Sequence, residues 1–188
     1  MKTFLNAISS LLAVGLLVAS SASFAIPTLK FGGNISYTTN ILSPAELNIS
    51  GVLIPGFQDL SIAPDLATSS VILSADFVSA SSADGNTTGL FGTTPANDLL
   101  ISDNFGLNTL LTGDVDSLML TGREGTNLGI LVGTIEITGG LLAGDFGGLG
   151  SLFAINFNLD TLFAPGMFDS DFFGITNGSI TQTVPEPM

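Results

Sequence analysis

The sequence contains no cysteine and no histidine among its 188 residues. Without cysteine there is no disulfide and no thiolate chemistry. Without histidine the commonest general base, the usual zinc ligand and the standard partner of a nucleophilic serine are lost together. Tryptophan is also absent and Tyr37 is the single tyrosine, so any aromatic platform must come from the 14 phenylalanines. Positive charge is nearly as scarce, with Lys2, Lys30 and Arg123 set against 16 acidic residues. A surface of that sign repels phosphate backbones and anionic headgroups, which excludes nucleic acid as a partner.

The only long apolar run lies at the amino end. Lys2 precedes the uncharged stretch Leu11–Ala19, and small residues lead to Ser23-Phe24-Ala25. This order of a basic start, an apolar middle and a small-residue site is that of a cleavable signal peptide, residues 1–25, cut between Ala25 and Ile26. The run is shorter than the roughly 20 residues a membrane-spanning helix needs. The chain is therefore expected to be exported, with no membrane span after Ala25. Losing the leader removes Lys2 and leaves Lys30 and Arg123, each expected to bridge a surface carboxylate.

From Ile26 onward the pattern has a period of two. Phe153, Ile155, Phe157 and Leu159 alternate with Asn156, Asn158 and Asp160, and Leu131, Ile135 and Ile137 alternate with Thr134, Glu136 and Thr138. Such alternation predicts strands with one buried and one wet face. Leu29–Tyr37, Leu47–Leu53, Val71–Val78, Val115–Leu120 and Ile175–Val184 read the same way. Turn formers separate them: Asp84-Gly85-Asn86, Thr112-Gly113-Asp114, Gly139-Gly140 and Gly147-Gly148. With 23 glycines and 8 prolines, long helices are disfavoured, and only short helical turns are expected at residues 96–100 and 104–110. The expected fold is all-β: one antiparallel sandwich or jelly-roll-like domain over residues 26–182.

Candidate chemistry is sparse. The pairs Asp114/Asp116 and Asp169/Asp171 have the i, i+2 spacing that puts two carboxylates on one strand face. They are the candidates for weak calcium binding; the third loop oxygen and the distal glutamate of a strong calcium loop are missing. No firm metal site, no cofactor and no catalytic residue are expected, since no group is placed to activate a serine or threonine. Sequon-like triplets begin at Asn34, Asn48, Asn86 and Asn177. Phe172 and Phe173 are adjacent, so in an extended segment one of them faces outward.

The chain closes on Val184-Pro185-Glu186-Pro187-Met188. A Val-Pro-Glu-Pro string at the end of an exported, glycine-rich, cysteine-free β protein resembles the PEP-CTERM family of bacterial exported proteins. That resemblance implies a sorting segment beginning at residues 183–188 and an exosortase-type machinery as partner if the full signal exists. It also implies a place at the cell surface or in the exopolysaccharide matrix of a biofilm. The family's apolar helix and arginine cluster do not follow Met188, so the sorting signal is expected to be truncated, or the protein released. The leading expectation is a non-enzymatic structural or adhesive protein of the cell envelope or matrix. In it, divalent cations could bridge its acidic loops to anionic polysaccharide. An extracellular carbohydrate-binding module is the alternative, and a hydrolase using an aspartate pair comes third.

Overall fold

A strand with large apolar side chains on one face and short polar ones on the other must cover the apolar face. Here the strands do so by curling around it. The computed structural model describes residues 28–40, 42–54 and 68–183. Its strands are β1 (Thr28–Thr38), β2 (Glu46–Leu53), β3 (Ser70–Ala83), β4 (Asn86–Gly92), β5 (Leu99–Ser102), β6 (Thr109–Arg123), β7 (Leu128–Gly139), β8 (Leu152–Asp160) and β9 (Phe172–Gln182). All pairings are antiparallel in the order β2-β1-β9-β8-β7-β6-β4-β3, and β3 returns to β2. The wall is a closed eight-strand barrel with β5 as one extra strand.

The extra strand occupies the same gap as β4. Along β3, Asp76 stands opposite Gly92 of β4 and Leu73 opposite Leu99 of β5. Along β6, Leu118 faces Phe91 and Gly113 faces Leu99. So β4 and β5 are two halves of one wall position, and residues 93–98 bulge out between them.

Eight strands enclose a space just wide enough for side chains to fill. Phe31, Ile35, Leu47, Ile49, Leu73, Leu120, Leu131, Phe153 and Phe157 are all buried within it. Phe31 stacks on Phe157 with ring centroids 5.2 Å apart. Rings this large fit because inward wall positions opposite them are glycine: a Cβ on Gly122 would lie 2.5 Å from the Phe163 ring, and one on Gly89 2.5 Å from the Phe168 ring. The loop after β8 plugs one end with Phe163, Met167 and Phe168, the latter two on a single 3-10 turn, Met167–Asp169. There the Tyr37 hydroxyl donates to the Phe168 carbonyl at 3.1 Å, and Tyr37 meets the rings of Phe77, Phe91, Phe168 and Phe172. The loop after β7 closes the other end with Ala143 and Phe146, whose ring lies 5.6 Å from that of Phe153.

The expected all-β antiparallel class holds, while the sandwich is replaced by a closed barrel. Alternation reports a buried face but not what covers it, and a second sheet or the far wall of the same sheet leave the same pattern. The expected strands are all present, several of them longer, and β4 and β5 are additional. The helical turn expected at 96–100 is instead the end of the bulge and the start of β5, and at 104–110 a turn leads into β6. Thr112-Gly113-Asp114 is not a turn but part of β6, which absorbs the irregularity as register shifts at Thr112/Gly113 and Val115/Ser117. Asp84-Gly85 does turn the chain: both residues have positive φ, 53° and 73°, the geometry of a two-residue hairpin with a right-handed twist.

Candidate functional site

The aspartates singled out in the sequence do not converge. Asp114 points outward from β6 opposite Glu136, and Asp116 sits on the adjacent bulge, where it accepts from the Thr134 hydroxyl at 2.9 Å. Asp169 and Asp171 belong to the plugged end instead. Asp171 Oδ1 accepts from the Thr39 backbone N–H at 2.7 Å and its hydroxyl at 2.8 Å. Those bonds, the backbone one first, favour the carboxylate and lower the pKa of Asp171. Burial raises the pKa of Tyr37, and the nearby charges of Asp169 and Asp171 add to the effect. Among the described residues no three Asp or Glu side chains gather into a metal-binding group. The signal segment with Ala25 and Ile26, and the motif Val184, Pro185, Glu186 and Pro187, lie outside the described residues.

Other groups that the sequence did not single out do come together. Glu46 of β2 stands directly opposite Asp76 of β3, both facing outward into a groove of about 540 Å³. Ser43, Pro44, Ser74 and residues 94–97 form its other walls. The bulge that forms one side is held by Asp98, which is only 1 % exposed. Its Oδ1 accepts from the Thr94 backbone N–H (2.7 Å) and hydroxyl (2.6 Å), and its Oδ2 from the Val115 N–H (2.6 Å). Neither the Glu46–Asp76 pair nor this latch is visible in sequence spacing, because both depend on which strands become neighbours.

A second groove, of about 570 Å³, crosses β4, β6, β7 and β8. Arg123 lies at its edge opposite Asn86, and Thr121, Ile130 and Asn158 form a cross-strand row along it. Leu128 and Ile130 expose apolar surface there, at 76 % and 43 %. Contrary to the sequence expectation, neither Arg123 nor Lys30 forms an ion pair among the described residues. The four sequon asparagines, Asn86 of this groove among them, are all on strands, with Asn48 accepting from the Ser74 hydroxyl at 2.7 Å. Phe173 is the outward member of its pair, exposed opposite Ser36, while Phe172 stacks on Tyr37.

No family model matches the chain, and no curated protein or solved structure is significantly similar to it. The functional reading therefore rests on the residues and the geometry.

Proposed function

We propose that this chain is an exported, non-enzymatic binding or structural component of the cell envelope or exopolysaccharide matrix, acting through the outside of its barrel. The observation that carries the reading is the filled interior. Phe31, Phe153, Phe157 and Phe163 occupy the space in which a barrel of this size would otherwise hold a ligand. Contact with any partner then falls to the outer wall. Asn156 faces Ser179, Asn158 faces Asn177 and Asn34 faces Ser50 there, a band of uncharged polar side chains. Between these polar pairs the wall also exposes Val52, Ile72, Leu90, Ile130 and Ile175, so its outer face offers both hydrogen-bonding and apolar surface to a partner.

The leader at residues 1–25 supports export, and the resemblance of Val184–Pro187 to the PEP-CTERM motif supports delivery to the surface. Lack of histidine and cysteine supports binding without turnover. One feature favours the hydrolase reading in second place: Glu46 and Asp76 are two carboxylates facing one groove, as glycoside hydrolysis requires.

The test is to mix the purified chain with the insoluble matrix of the producing cells. We expect it to sediment with the matrix and to release no reducing sugar. A chain that stays in the supernatant overturns the binding reading. Release of sugar that Asp76→Asn abolishes establishes the hydrolase instead.

A further inference from the structure

We propose that the groove at Arg123 binds a carboxylate-bearing saccharide, a uronic-acid unit of an acidic polysaccharide. The inference rests on the matrix-binding reading above and names the ligand class and the site.

Arg123 ends β6, exposed, in a chain with 16 acidic and only three basic residues. With that excess, a guanidinium would be expected to find a carboxylate, yet among the described residues it has no ion pair. The neighbouring acids are turned to other uses. Glu124 Oε1 accepts from the Thr87 hydroxyl at 3.0 Å, and Thr87 is 1 % exposed, so this carboxylate is committed towards the plugged end. Asp160 stands opposite Leu128 on β8 and forms no ion pair with Arg123. The guanidinium is thus left with its planar pair of N–H donors free for an incoming carboxylate.

The rest of the groove suits a sugar ring. The Asn158 amide offers a donor and an acceptor, and Asn86, whose Nδ2 donates one N–H to the Asp84 carbonyl at 3.4 Å, keeps its oxygen and a second N–H, the pairing that neighbouring ring hydroxyls require. The Thr121 hydroxyl is held by the Thr88 hydroxyl at 2.9 Å and so is fixed in direction. Leu128 and Ile130 supply aliphatic surface for the C–H face of a ring. A volume of about 570 Å³ is of the size that holds a small saccharide. An acidic peptide has less to gain here. The β6, β7 and β8 segments lining the groove are paired on both sides, so no free main-chain edge is available to an extended peptide.

The experiment titrates the full chain, in about 0.15 M salt to screen repulsion between two acidic partners. The ligands are trimers of galacturonate, glucuronate and mannuronate, the same trimers with their carboxyl groups reduced to alcohols, and a glutamate-rich peptide. We expect saturable binding of at least one uronate trimer, at least tenfold weaker binding of its reduced form, and no saturation by the peptide. Arg123→Gln should weaken uronate binding at least tenfold and Asn158→Ala severalfold, with unchanged thermal midpoints. The proposal is overturned if the reduced trimer binds equally, if both variants bind like the parent chain, if the peptide competes, or if no uronate saturates. If it fails while the chain still sediments with matrix, only this groove is wrong. If sedimentation is lost too, the matrix reading falls with it.

Discussion

The carboxylate of Asp98 accepts the backbone N–H of Val115 at 2.6 Å, and its other oxygen holds Thr94. One buried side chain therefore joins the bulge between β4 and β5 to the register shift in β6. The same residue's carbonyl accepts from the Ser74 N–H at 2.8 Å, tying the bulge to β3 as well.

Asp98→Ala should be among the most destabilising single changes in the barrel. It strands the donors of Thr94 and Val115, and a buried donor left unpaired costs about 1–3 kcal/mol. Denaturant melts of the variant should show a loss in or above that range. A midpoint equal to the parent's would mean that the bulge holds itself.

Gly122 and Phe163 should be strongly coupled. A Cβ at Gly122 would fall 2.5 Å from the Phe163 ring, and overpacking of this kind costs about 1–3 kcal/mol. Gly122→Ala should be costly alone and much less so on a Phe163→Leu background. A double-mutant cycle in urea measures the coupling, and simple additivity of the two changes would contradict the packing described.

The pairing of Glu46 with Asp76 predicts the opposite sign. Like charges directly opposite on neighbouring strands are destabilising, so Asp76→Asn should stabilise the chain. The gain should shrink as salt is added. A variant that melts lower than the parent at low salt would show that the pair is held by something other than its own strands.

Stability should fall at both ends of the pH range, for different reasons. The pKa of Asp171 is lowered by its bonds from Thr39, and that of Asp103 chiefly by the Asn108 side chain, with the Leu107 N–H adding to it. Their contribution is present above the ordinary value of 3.8 and is lost as pH falls through the lower folded values. Tyr37 is raised above its ordinary value of 10.0, so the unfolded chain ionises first. Its contribution is complete below pH 10.0 and is lost as pH climbs towards the folded value. Thermal midpoints of Asp171→Asn and Tyr37→Phe measured across pH should show a flatter acid limb and a flatter alkaline limb respectively. Limbs that match the parent's would assign the pH dependence to other groups.

Strand positions were largely legible before the fold was known. Leu152–Asp160 is a strand with the faces its alternation assigns, since a period of two is a property of the extended backbone itself. Asn86–Gly92 was not legible, because Gly89 leaves a gap in the alternation where the Phe168 ring enters. Leu99–Ser102 is too short to carry a pattern. The acidic pairs picked by i, i+2 spacing remain apart, while Glu46 and Asp76, 30 positions distant, meet across β2 and β3.

Sequence alone determined the local matters: extended segments, their buried faces, the Asp84-Gly85 turn and the absence of imidazole and thiol groups. These depend on each residue's own chemistry and on neighbours one or two positions away. Only the tertiary structure decided that the sheet closes on itself, that rings fill its interior, and that Arg123 faces Asn86, Thr121 and Asn158 with no carboxylate paired to it among the described residues. Those follow from strand order and register, which are chosen by how all the side chains pack together and leave no signature in the spacing of any one segment.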